Sequence, residues 1–214
     1  MGRIIVIMGA PGAGKGTQSR LLSEKFSYPQ ISTGDILREM AQADTALGHQ
    51  LKEILASGNL VNDQVLTQVI LERTSQSDCK AGYILDGFPR TLKQAELLED
   101  LAERQGHEIV LVRVTVHKNT LLKRLTGRRI CPVCGEIYNI YFKPPQSDSL
   151  CDLDAALLIQ RSDDNAEKVG IRLSNYIEST TPLFDFYANS GRMIVVDGDK
   201  PVEEVFSNLS DMLP

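Results

Sequence analysis

The sequence predicts an α/β protein, a five-stranded parallel sheet with helices on both faces. Three observations carry that reading. Short apolar, β-branched runs alternate along the chain with segments of helical spacing. Each run is nearly continuous in apolar residues, as in strands buried on both faces, and does not alternate as in a half-wet sheet. The first run also leads directly into the glycine-rich segment GAPGAGKGT at residues 9–17, a strand–loop–helix arrangement suited to binding phosphate.

In chain order, the run at residues 4–8 is the first strand and the segment 16–25 the first helix. A short run at 29–31 is a second strand, 61–74 a helix, 83–85 a strand and 91–105 a helix. The strand at 109–116 is followed by a helix at 119–127, a helix at 166–188, a strand at 193–196 and a last helix at 202–213. The crossovers are expected to be right-handed. Two segments break the alternation. Residues 32–61 are helical without a strand, with Ile36, Leu37 and Met40, then Leu47, Leu51, Ile54 and Leu55, closing at Gly58. Residues 127–164 change to cysteines, alternating aromatics and the pair Pro144-Pro145, which reads as a small β-rich insertion. The chain thus divides into a core of residues 1–31, 62–126 and 165–214, with two flaps at 32–61 and 127–164.

The 214 residues are 42% hydrophobic and 24% charged, ordinary for a globular chain with one good core and excursions. A net charge of −5 argues against nucleic acid or a membrane surface as partner. No stretch approaches the roughly 20 apolar residues of a spanning helix. The N-terminal apolar run is shorter than the roughly 7–15-residue core of a signal peptide, so the cytoplasm is the expected location. Nothing in the sequence suggests more than a monomer, and there is no internal repeat.

Successive backbone N–H groups of a glycine-rich loop turn inward to make an anion nest. Lys15 adds a point charge where the outer phosphates of a nucleotide would lie, and the helix that follows points its positive end at the same place. Gly9, Gly14 and Lys15 match the phosphate-loop pattern GxxxxGK[ST]; Gly16 stands in place of its hydroxyl, with Thr17 one residue later. On the strand at 83–85, Asp86 follows at the C-terminal end, where parallel sheets bind ligands. There it would hold Mg²⁺ through water.

Cys131, Cys134, Cys151 and Asp154 form the pattern C-x₂-C-x₁₆-C-x₂-D. This is the spacing of a four-ligand zinc ribbon with a carboxylate as last ligand, so the site is structural, with no open position. A flap of about 38 residues has too little core to hold its own shape. Asp152 is the rival fourth ligand, but its adjacency to Cys151 does not reproduce the turn. Cys79 reads as a lone, partly buried thiol, and His49, His107 and His117 as surface residues.

Six motifs resemble adenylate kinases essentially end to end: GAPGAGKGTQ at 9–18, PQISTGDILR at 29–38, GYILDGFPRT at 82–91, GRR at 127–129, QRSDD at 160–164 and VDGDKP at 196–201. The resemblance is to the long-lid form, with a cysteine pattern similar to that of zinc-containing bacterial members. It implies a phosphate-loop kinase fold with a helical AMP-binding flap and a zinc-binding lid. It also implies transfer of the terminal phosphoryl group of ATP to AMP, giving two ADP, with Mg²⁺ accompanying ATP and Zn²⁺ in the lid.

Laid on matching positions, Gly12, Ala13, Gly14, Lys15, Gly16 and Thr17 would wrap the ATP phosphates. Thr33, Arg38, the backbone at Asn59, Leu60 and Val61, then Gly87, Phe88, Pro89, Arg90 and Gln94 would form the AMP site, with Arg161 and Arg172 reaching it. Arg124, Arg128, Arg161 and Arg172 would converge on the transferring group. Ile137 and Tyr138 would flank the ATP base or ribose, and the backbone at Lys200 would meet adenine. Asp163 and Asp164 match the acids near the lid hinge.

Elementary chemistry supports the same assignment. An acceptor phosphate is already anionic, so no general base is needed; the difficulty is holding two polyanions in line. Guanidinium forks suit that task better than ammonium groups. Arg73 and Arg129 read as solvated. Two flaps that close only over occupied sites would keep water from accepting the phosphoryl group. The alternatives are a UMP/CMP or GMP kinase, disfavoured by Gln94 and Thr33, and a non-catalytic nucleotide-binding zinc-ribbon module, disfavoured by the acidic insertion.

Overall fold

The computed structural model describes residues 2–188 and 190–213. Strand β1 (Gly2–Gly9) is buried from Ile4 onward and runs through the phosphate loop into α1 (Lys15–Phe26). Then come β2 (Gln30–Ser32), α2 (Thr33–Met40), α3 (Ala46–Ser57), α4 (Asp63–Thr74), β3 (Gly82–Asp86) and α5 (Leu92–Gln105). The remainder is β4 (His107–Thr115), α6 (Lys118–Thr126), β5 (Arg128–Ile130), β6 (Ile137–Asn139), α7 (Ala166–Asn175), α8 (Pro182–Ala188), β7 (Met193–Asp197) and α9 (Val202–Met212). Among the described residues, no helix is long and apolar enough to cross a membrane.

Five strands form one parallel sheet in the order β2-β3-β1-β4-β7. Because side chains alternate across a strand, the runs supply two cores at once. Ile4, Val6, Tyr83, Leu85, Ile109 and Leu111 face one way, against Ile70 of α4, Leu98 of α5 and Leu183 of α8. Ile5, Ile7, Ile84, Val112 and Val114 face the other, against Leu22 of α1, Leu121 of α6 and Leu209 of α9. The strand order reverses around β1, so its C-terminal end is the crevice where a doubly wound sheet binds its ligand.

Local chemistry sets the element ends. Asn62 accepts the Gln64 N–H, which starts α4 two residues later than the apolar spacing implies. The expected helix at 166–188 is broken. A π-helical turn, Tyr176–Thr180, separates α7 from α8, and the Thr181 N–H bonds back to the Tyr176 carbonyl. Pro182 has no N–H to continue the ladder and would crowd the carbonyl four residues before it, so the turn widens ahead of it. The insertion at 127–164 is β-rich only as short pieces. β5 and β6 pair antiparallel, and single bridges join Ile130 to Ile159, Asn139 to Lys143 and Leu150 to Leu157. Its own small core is Cys131, Tyr138, Cys151 and Leu158.

Candidate active site

Gly12 and Gly14 hold φ of 84° and 93°, left-handed values that turn the loop's backbone inward. A Cβ at Gly12 would also lie 2.9 Å from Leu125 Cγ. Lys15 Nζ donates to the carbonyls of Gly9 at 3.0 Å and Ala10 at 3.1 Å, so the ammonium lies folded back across the loop. Burial pushes its pKa down to about 8; Asp86 opposes that shift, while Arg90, Arg172 and Arg128 add to it. Asp86 ends β3 in register with Ile7 of β1. Its carboxyl is pushed upward by burial, with Lys15 opposing. A Cβ on Gly16 would lie 3.3 Å from Asp86 Oδ2, which gives a physical reason for glycine at the loop's departure from the general pattern.

Six arginines surround this point. Arg90 Nε donates to the Gly87 carbonyl at 2.8 Å, and burial first, then Arg172, lowers its pKa. Arg38 pairs with Asp35 at 2.5 Å, and Arg161 reaches the same carboxylate at 3.3 Å. Burial pushes Arg161 down to about 10, with Arg128 and Arg38 adding. Arg128 forms a fork on Asp164, with contacts at 2.7 and 2.6 Å, and Asp164 is fully buried. Arg172 touches Asp163 at 2.9 Å and Asp164 at 3.1 Å. Arg124 donates to the Gly198 carbonyl at 2.8 Å. Mutually repelling guanidinium groups brought this close form a receptor for a polyanion.

Two cavities open here. The first, ≈ 580 Å³, is lined by Thr33, Arg38, Asn59, Leu60, Val61, Arg90, Gln94, Asp163 and Arg172, among others. The second, ≈ 590 Å³, is lined by Pro11, Lys15, Gly87, Phe88, Pro89, Arg90, Arg172 and Tyr176, among others. Gly58, Leu60, Arg90 and Arg172 line both. Arg124, Arg128, Arg161, Ile137, Tyr138 and Lys200 line neither. Gln94 is 3% exposed; its Oε1 accepts the Arg90 N–H at 2.8 Å and its Nε2 donates to Asp63.

Tyr138 departs from its expected place beside a base or ribose. Its side chain is 2% exposed, and its hydroxyl accepts the Asp152 N–H at 2.8 Å and lies 3.5 Å from Cys151 Sγ. The ring is committed to the cysteine cluster because that small core has almost nothing else to bury. Ile137 is at the surface, and Lys200 is exposed with its ammonium on Glu204. His107 is not a surface residue: it is half-buried against Tyr83, and its Nε2 lies 3.3 Å from the Cys79 carbonyl. Cys79 is buried rather than partly so. Arg73 binds Asp78 at 2.8 Å, and Arg129 donates to two backbone carbonyls, so neither is simply solvated. Phe142, which the alternating pattern did not single out, presents its ring 6.0 Å from the Arg124 guanidinium. No sequence signal distinguished it from Tyr141.

In the insertion, the ligand atoms of Cys131, Cys134, Cys151 and Asp154 all lie within 4.8 Å of one another. Cys134 and Cys151 sulfurs are 3.5 Å apart, and Cys131 Sγ is 3.2 Å from Asp154 Oδ2. Bonds of 2.0–2.3 Å to a tetrahedral ion place ligand atoms roughly 3.3–3.8 Å apart, so the donor set fits a metal ion. Asp152 stands outside the cluster, accepting the Gln146 N–H at 2.8 Å.

The family model described as "Adenylate kinase" matches residues 7–192. The chain is 44% identical to an adenylate kinase of Oceanobacillus iheyensis, over 98% of each chain. It is 46% identical to one of Clostridium perfringens and 43% to one of Bacillus subtilis, each over 98% of this chain and 97% of the relative.

Proposed function

The chain belongs to the adenylate kinase family, and from that premise we propose how its residues carry out the reaction. The activity is reversible transfer of the terminal phosphoryl group of ATP to AMP, giving two ADP. The observation that carries the division of labour is that two cavities, one on the phosphate loop and one on the helical flap, share Arg90 and Arg172. A donor and an acceptor bound in them would meet at those two guanidinium groups.

In this reading the loop N–H groups from Gly12 to Thr17 and Lys15 hold the ATP phosphates. Arg38, Arg90 and Arg172 hold the AMP phosphate, while Thr33, the backbone at 59–61 and Gln94 hold the nucleoside. The carbonyl oxygen of Gln94 has a second lone pair and its amide a second N–H, so both remain for a base after the contacts to Arg90 and Asp63. Arg128 and Arg161 approach as residues 127–164 close, and together with Arg124 of α6, already beside the phosphate loop, they neutralise charge on equatorial oxygens in the transition state. Phe142, its ring 6.0 Å from the Arg124 guanidinium, offers a flat face to a nucleobase. Tyr138 would contribute through its backbone.

Mg²⁺, when bound with ATP, neutralises phosphate charge; Asp86, half-buried beside Lys15 and Gly16, is the acid that would hold it. Zn²⁺ in the lid cluster is structural, because four protein ligands leave no position for substrate. Residues 1–31, 62–126 and 165–214 act as the core, 32–61 as the acceptor flap and 127–164 as the lid. A single chain lines both cavities, so a monomer suffices, and the cytoplasm is a compartment that supplies these substrates.

The test is a coupled assay with ATP–Mg²⁺ and each of AMP, UMP, CMP and GMP as acceptor. AMP should exceed the others in kcat/KM by at least about tenfold. A better pyrimidine or guanine acceptor would overturn the assignment of Gln94 and Thr33.

A further inference from the structure

Asp63 opens α4, and its Oδ1 accepts the Gln94 Nε2–H at 2.5 Å. At the other end of the same amide, Oε1 accepts the backbone N–H of Arg90 at 2.8 Å. Each partner is one-sided, since a backbone N–H only donates and an ionised carboxylate only accepts. An amide's oxygen and nitrogen are alike in shape, so its orientation is decided by its neighbours. Here both neighbours demand the same one. Gln94 lines the first cavity and is 3% exposed, whereas Asp63 lies behind it and lines neither cavity.

We propose that Asp63 is a positioning residue that sets acceptor-base selection by holding the Gln94 amide in one orientation. This rests on the reading of the first cavity as the AMP site. Adenine presents an amino N–H beside a ring-nitrogen acceptor. The fixed amide meets it with the free lone pair of Oε1 and the free N–H of Nε2. A 6-oxopurine inverts both groups, offering a carbonyl oxygen beside a ring N–H. To accept it, Gln94 must flip, which sets its NH₂ against the Arg90 N–H and its carbonyl oxygen against the Asp63 carboxylate. Both contacts are repulsive, so the selectivity is built by unpaired groups against the wrong base as much as by bonds to the right one. A neutral amide at position 63 removes one of the two obstacles, because it can turn its own N–H toward the Gln94 oxygen.

AMP and IMP differ at this edge, so their ratio reads the orientation directly. We would measure kcat and KM for each, with ATP–Mg²⁺, on wild type, Asp63→Asn, Gln94→Ala and the double variant. Asp63→Asn should lower the AMP:IMP ratio of kcat/KM about fivefold, chiefly through KM, and leave KM for ATP unchanged. In the Gln94→Ala background, Asp63→Asn should change the ratio no further. Loss of a charge from the first turn of α4 weakens the fold for both acceptors alike, so a merely structural role cancels in the ratio. An unchanged ratio in Asp63→Asn, where Gln94→Ala alters it, overturns the proposal; so does the same shift with Gln94 absent. If Gln94→Ala leaves KM for both acceptors unaltered, the assignment of the AMP site itself fails, and the role of Asp63 with it.

Discussion

Lys15 lies where the phosphate loop, β3 and the arginine cluster meet, and its chemistry is set by that crowding. Burial and three neighbouring guanidinium groups bring its pKa down to about 8, against the partial support of Asp86. The ammonium that must meet the outer phosphates is therefore charged below about pH 8 and progressively neutral above it. Bound phosphate restores the charged form. The expected outcome is an alkaline limb near pH 8 in kcat/KM for ATP, which reports the free enzyme, and no such limb in kcat. Lys15→Ala should lose the limb along with about 10²–10³ of turnover while remaining folded. A limb that persists in the variant would assign it to another group. Lys15 was legible in the sequence because motif, strand and helix agree on it. Its partners in the resting protein, the Gly9 and Ala10 carbonyls, were not, since a lysine's four rotatable bonds leave no trace in spacing.

At the scale of elements, the cysteine-bearing insertion is the clearest case of chemistry replacing core. Its buried apolar centre is four residues, two of them cysteines, and its strands are three residues each. So little apolar surface does little to hold about 38 residues against chain entropy, which is the work the proposed metal clip would do. Chelation should lower the melting temperature by several degrees, and Cys134→Ser should do the same, while turnover well below the melt survives. Elemental analysis should give one metal ion per chain in the wild type and less in the variant. A metal-free wild type, or a variant that melts like it, would leave the cluster without a role. Spacing revealed the cluster of Cys131, Cys134, Cys151 and Asp154 because both C-x₂-C-type turns are local. It could not reveal that Tyr138 turns inward, because an alternating aromatic run does not say which face a small core will take. The break between α7 and α8 is different: apolar periodicity continues through it, but Pro182, which has no N–H, marks it in the sequence.

For the whole molecule, strand runs and turn residues made the parallel sheet legible, because a strand buried on both faces has no choice of composition. The switch point at β1 follows once the strand order is known, and the phosphate loop marks it in advance. What the sequence could not supply was how the arginines divide. Arg128 and Arg172 share Asp164, and Arg38 and Arg161 share Asp35, shared carboxylates that join segments far apart in the chain. The central claim is that donor and acceptor occupy two cavities of one chain at once and exchange a phosphoryl group directly across Arg90 and Arg172. Initial rates of ADP formation, with ATP–Mg²⁺ and AMP varied together, test it most directly. The account expects intersecting reciprocal plots and no ADP from ATP when AMP is omitted. Parallel plots, or ADP released from ATP alone at a comparable rate, would mean a covalent intermediate or transfer to water, and would contradict it.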